Sequence, residues 1–159
     1  MIDEIEAVLE EYPNTLRSFQ TPSRDLPGCL LIKDIGDQVK EMVASLDANS
    51  LLIKWSYGKG AWTPTPWIAI LDSNHTKTTQ SWFYPCLLFR ADGSGFYLSL
   101  SVATGRPYGT PNKSEIELIS NRAHRFRPWF SSLGYLGLRA DPFLDLRVER
   151  EVGVGYRYG

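Results

Sequence analysis

Between Lys54 and Leu88 the chain gathers four of its five tryptophans, Trp55, Trp62, Trp67 and Trp82, around the turn Gly58-Lys59-Gly60. Trp and Tyr offer large, rigid contact area at small entropic cost, which is what a pocket for a planar ligand uses; a packed core uses it equally well. The turn adds a cation. Its two glycines open backbone conformations closed to other residues and let the loop approach another backbone closely, with Lys59 at the tip. In a nucleic-acid binder such a lysine enters a groove or fills the gap left by an extruded base; elsewhere it is a solvated turn residue.

Covalent chemistry finds few of the residues it needs. His75 falls in the loop Asp72-Ser73-Asn74-His75-Thr76-Lys77 and His124 beside a basic helix flank, and neither belongs to a nucleophile or metal motif. Gly58-Lys59-Gly60 lacks the full Gly-x-x-x-x-Gly-Lys-Ser/Thr pattern of a phosphate-binding loop, and no helix signal follows it. Asp141 and Asp145 lack the further acidic partners of a nuclease site, so turn and capping roles suit them better. Cys29 and Cys86 have no metal-ligand spacing, and buried free thiols are expected rather than a disulfide. The expectation is therefore a binding domain with no catalytic residue, metal or cofactor of its own.

At 159 residues, with 43% apolar and 22% charged residues, the chain has the composition of a single globular domain. No apolar run approaches the ~20 residues that span a bilayer, and the acidic start Met1-Ile2-Asp3-Glu4 is unlike a signal peptide, so the cytoplasm is the expected location. The net charge of −1 conceals a segregation. Residues 1–50 hold ten acidic and four basic groups, whereas residues 51–130 hold nine basic and four acidic, a net of +5. A field concentrated in this way steers and holds a polyanion, although a merely solvated face has the same composition.

The elements that must position these residues are legible from periodicity. Ile2, Ile5, Val8 and Leu9 repeat at helical spacing until Pro13, and Val39, Met42, Val43 and Leu46 repeat it after Asp34 and Asp37, predicting two acidic amphipathic helices separated by a loop over 18–29. Leu51–Tyr57, Trp67–Leu71, Phe83–Phe89 and Gly95–Val102 read as strands, the last two joined as a hairpin by Ala91-Asp92-Gly93-Ser94-Gly95. After a Gly/Pro-rich loop at 105–111, Ser114 and Glu117 form a capping box. A third and longest helix is expected there, with Ile116, Ile119, Ala123, Phe126 and Phe130 on its apolar stripe and Arg122 and Arg125 on a flank facing phosphate. Gly134 is its natural stop, and Phe143–Val148 alternates as a short final strand. The tail from Gly153 to Gly159 has no packing pattern, which reads as the front part of a longer protein.

Ser56-Tyr57-Gly58-Lys59-Gly60-Ala61-Trp62, Pro66-Trp67-Ile68-Ala69-Ile70-Leu71-Asp72, Tyr84-Pro85, Leu88 and Tyr97-Leu98-Ser99-Leu100 together resemble the N-terminal DNA-recognition domain of McrB-like proteins, the modified-cytosine reader of a methylation-dependent restriction system. The likeness is densest over 54–102, and the first 50 residues share only helical character. The resemblance implies duplex DNA binding with extrusion of the modified base into an aromatic cavity. It implies that Trp67 walls that cavity, that Tyr84 and Leu88 lie near the methyl group, and that the loop Tyr57-Gly58-Lys59-Gly60 inserts into DNA. Lys59 departs from the pattern, because a family member of known cytosine specificity carries an aromatic residue there. Lysine cannot stack as a wedge, though it can hydrogen-bond or contact phosphate.

The expected fold is one α+β domain over 1–159, a twisted and largely antiparallel sheet of about five strands with helices packed against it. The expected partner is double-stranded DNA with a modified base, 5-methylcytosine or another 5-substituted cytosine, and a fused or separate nuclease or NTPase supplies any catalysis. Trp62 and Trp82 border loops as rim candidates, and Lys54, Lys77, Arg90, Arg122 and Arg125 are candidate DNA-backbone contacts. The competing reading is a protein-interaction or assembly domain built on exposed aromatics and the acidic helices.

Overall fold

The computed structural model describes residues 1–46, 48–103, 112–131 and 144–148. Helix α1 spans Ile2–Ser18, with Asp3 and Glu4 in its first turn and Arg17 in its last, the charge order that complements a helix dipole. Pro13 does not end this helix as its sequence position suggests; it lies inside, buried between Tyr12 and the next core residue, Thr15. A proline here removes the N–H that would bond the Leu9 carbonyl. That carbonyl faces the β-turn at Gly93, where φ is +74° and an added Cβ would stand 2.1 Å from the Leu9 oxygen. The fold thus packs the turn's glycine, which has no side chain, against the break in the helical ladder.

Helix α2 spans Pro27–Ser45 and starts earlier than the Asp34–Asp37 signal implies. Leu26 is extended, as the residue before a proline prefers, and Pro27 takes the first helical position, where its missing N–H costs nothing. The next N–H, of Gly28, donates to Thr15 Oγ1 of α1 at 3.1 Å, so a neighbouring helix serves as the cap.

Strands β1 (Leu51–Gly58), β2 (Trp62–Asp72), β3 (Phe83–Phe89) and β4 (Phe96–Val102) form an antiparallel sheet in the order β1-β2-β3-β4. β2 begins before Trp67, where the sequence places its start, because Pro64 and Pro66 sit in a bulge. The register jumps from Ser56–Trp67 to Gly58–Trp62, leaving residues 63–66 out of the ladder with β1. One sheet face packs on α1 and α2 through Val8, Tyr12, Ile32, Ile35, Ile68 and Phe89. The other buries Ala69, Leu71, Tyr84, Cys86 and Leu88 with Ala103 and Leu146.

Four strands are found among the described residues, against about five expected. The segment 144–148 packs on the second face and its Leu146 carbonyl accepts the Ala91 N–H at 3.0 Å, yet it forms no strand. Arg147 has φ 54°, a left-handed backbone that a ladder does not pass through. Helix α3 spans Lys113–Ser131, 19 residues among those described. Its capping box lies two residues earlier than expected: Asn112 Oδ1 accepts the Glu115 N–H at 3.0 Å, and Glu115 Oε2 accepts the Asn112 N–H at 2.8 Å. Ile119 and Ala123 are buried on its inner side. The side chains of Phe126 and Phe130, the loop at 105–111, Gly134, Asp141, Phe143 and the tail at 153–159 lie outside the described residues.

Candidate nucleic-acid interface

The turn between β1 and β2 is anchored at its base and open at its tip. Gly58 has φ +109° and an added Cβ would fall 2.0 Å from the Ala61 carbonyl oxygen, whereas at Gly60, φ +77°, the same atom would meet nothing within 4 Å. Lys59 and Gly60 are exposed. Beneath them the Tyr12 hydroxyl donates to the Thr63 carbonyl at 2.7 Å, with the Tyr57 carbonyl at 3.1 Å sharing the proton. The Trp62 indole N–H donates to the Phe19 carbonyl at 2.8 Å, and its ring meets Tyr12 edge-on at 5.8 Å. Tyr57 and Trp62 therefore pack on the helix-side core.

Trp67, Tyr84 and Leu88 lie on the opposite face. Strand pairing sets Ser56, Trp67, Leu88 and Tyr97 in one row across all four strands, followed by a row of Lys54, Ala69, Cys86 and Ser99. Tyr84 is two same-face positions from Leu88, about 13 Å along β3. Small side chains thus lie between a bulky pair and a tyrosine. Leu88 and Tyr84 are buried, and Trp67 is half-buried. Burial pushes the Cys86 thiol up to about 12, which leaves it an inert, neutral part of this floor. Cys29 is likewise a free, buried thiol. Tyr97, next to Leu88 in the row, is the member that the site reading omitted; the alternation of β4 was the signal for it.

The loop between β2 and β3 folds back toward this face. The Lys54 ammonium donates to the Lys77 carbonyl and the Tyr84 hydroxyl to the Thr79 carbonyl, the latter at 2.9 Å, so the loop is tied to β1 and to β3. Lys54 and Lys77 are brought to the same side as Trp67 and remain exposed. Trp82 closes the loop, stacked on His75 at 5.0 Å and on Phe83 at 5.4 Å.

The three arginines separate. Arg122 and Arg125 are exposed on α3. Arg90 instead turns inward. Its Nε donates to the Asp145 carbonyl at 2.9 Å, one terminal nitrogen reaches Ser94 Oγ at 3.0 Å and the other the Asp145 carboxylate at 3.3 Å. The guanidinium also lies 5.6 Å from the Tyr97 ring centre, so Arg90 clamps the 144–148 segment onto the β3–β4 hairpin.

Helices α1 and α2 on one face of a small antiparallel sheet, an open basic turn at its end and an aromatic row on the other face define an α+β recognition domain. The family model described as MrcB-like, N-terminal domain, matches residues 7–159, and the chain belongs to that family, one of DNA-recognition domains of restriction systems. No curated protein and no solved structure matches the chain. Among the described residues no helix is long and apolar enough to cross a membrane, and no cluster of His, Cys, Asp and Glu could hold a metal ion.

Proposed function

We propose that the domain reads duplex DNA carrying a modified base, 5-methylcytosine or another 5-substituted cytosine, by flipping it into a pocket walled by Trp67, Tyr84 and Leu88. The observation that carries this reading is the cross-sheet row that pairs Trp67 with Leu88, with the small Ala69 and Cys86 next to it and Tyr84 beyond. Extrusion costs a few kcal/mol of unstacking, and stacking on an aromatic ring returns about 1–3 kcal/mol per base. The Tyr57-Gly58-Lys59-Gly60 loop enters the DNA, and Lys59 meets the opened site by hydrogen bonding or phosphate contact rather than by stacking. Lys54, Lys77, Arg122 and Arg125 hold the backbone, while Arg90 serves through the hairpin that it braces.

In this reading the chain is the specificity module of a cytoplasmic, modification-dependent restriction or phage-defence system, and a fused or separate nuclease or NTPase performs the reaction. Titration with matched duplexes that differ only in one modified base tests it. Tighter binding to the modified duplex is expected; equal, weak binding to all of them would remove the reader role. The alternative of a protein-interaction domain draws on Phe96 and Leu98, exposed on β4 at the sheet edge. Contacts to several phosphates weaken steeply with salt, and an apolar interface does not.

A further inference from the structure

We propose that the ring stack of His75, Trp82 and Phe83 is a second binding site, a platform for an unpaired nucleobase of single-stranded DNA, with Lys77 holding the adjoining phosphate. This rests on the DNA-binding reading above and adds a site outside the Trp67–Leu88 row.

The three rings lie nearly parallel in a stack, at 10° between His75 and Trp82 and 19° between Trp82 and Phe83; Trp82 is 49% exposed and the His75 side chain 52%. Stacking covers part of the indole, and the half-exposed His75 imidazole backed by it presents ring surface to solvent. The indole's position is held against a local preference, since Trp82 has φ 71°, a left-handed backbone that costs an L-residue energy. The surroundings enforce it: the Trp82 carbonyl accepts the Ala103 N–H at 2.9 Å, and within the loop the Thr76 and Ser81 hydroxyls meet at 2.7 Å. The platform is therefore set before any ligand arrives, which lowers the ordering cost of binding.

The surroundings also select the ligand. Lys77 is exposed on the same loop, and the Lys54 ammonium lies against its carbonyl, so two cations accompany the rings. Stacked rings with flanking cations match a nucleobase joined to phosphate. A base inside a duplex has both faces covered, so only an unpaired base can use the platform. The loop is also bonded to Tyr84 through Thr79, which ties it to the strand that carries the candidate pocket.

Fluorescence anisotropy of a labelled oligothymidylate of about 12 nucleotides, titrated with the whole chain at low salt, tests the site. Wild type is expected to bind, Trp82→Ala and His75→Ala to weaken binding by about tenfold each, and Trp82→Phe to stay within about threefold of wild type. Thermal melts accompany each variant, and His75→Ala, which leaves the indole in place, decides the matter if Trp82→Ala does not fold. Undiminished binding by the folded alanine variants, or no binding by wild type, overturns the platform. Titrating the same proteins with modified and plain duplexes separates the two readings. Selectivity for the modified duplex with unchanged oligothymidylate binding in the variants removes only the platform, and the converse removes only the reader.

Discussion

The phenol of Tyr12 on α1 and the main-chain carbonyl of Thr63 on β2 meet at 2.7 Å, joining the N-terminal helix to the base of the Gly58-Lys59-Gly60 turn. Tyr12 is 2% exposed, and burial pushes its phenol well above the usual range, so the group stays a neutral donor. An acidic helix that carries none of the candidate DNA contacts thereby sets the direction of the loop that carries one.

Tyr12→Phe keeps the packed ring and removes the donor. Leaving the partly buried Thr63 and Tyr57 carbonyls without it costs about 1 kcal/mol, to be read by urea unfolding. If the bond also orients the turn, affinity for duplex DNA falls at temperatures where the variant is fully folded.

Gly58→Ala and Gly60→Ala differ in kind although both glycines have positive φ. At Gly58 the new methyl strikes the Ala61 backbone, and loss of stability well beyond the roughly 1–2 kcal/mol of a left-handed alanine is expected. Gly60→Ala meets open space and costs only about that amount. Thermal melts of the two variants provide the comparison.

Lys59→Ala is expected to leave the melting temperature unchanged, because the tip is exposed, and to weaken duplex binding. Trp67→Ala and Tyr84→Ala abolish discrimination between modified and plain duplexes in the proposed mechanism. Tyr84 is buried, so its variant also loses about 3–5 kcal/mol, and binding must be compared on the folded fraction.

Arg90 and the α3 arginines are separable by salt. Each phosphate contact contributes about one to the slope of log affinity against log salt, so Arg122→Ala or Arg125→Ala reduces the slope by about that amount. Arg90→Ala leaves the slope unchanged and lowers stability, since it releases Asp145 and Ser94.

Alkaline pH destabilises the fold through its buried acids. Burial raises the Cys29 thiol to about 11 and the Cys86 thiol to about 12, and Tyr12 is raised as well. A folded-state value above the unfolded one contributes stability that is complete below the unfolded value and is lost as pH rises toward the folded one. Urea midpoints therefore hold steady below the ordinary thiol value near 9 and fall above it. A Cys29→Ala, Cys86→Ala double variant shows a shallower fall.

The α+β class, the three helices, the four strands and the family block were all legible in the chain, because periodicity and turn chemistry act over a few residues. Alternation in β2 and β3 even placed Trp67, Tyr84 and Leu88 in strands, although it could not choose between core and pocket wall. What lay beyond the sequence depended on partners distant along it. Pro13 lies inside a helix whose broken ladder abuts Gly93 of a distant turn. Helix α2 begins at Pro27 because Thr15 caps it, and Arg90 is occupied by Asp145, 55 residues away. Trp62 and Trp67 show the division most plainly: both read as aromatics beside the same turn, and only their tertiary partners, Phe19 and Tyr12 for Trp62 and Leu88 for Trp67, put one on the helix-side core and the other on the candidate binding face. Those partners lie far away along the chain, 43 residues for Phe19 and Trp62, so the choice of face exists only once helices and strands are packed together.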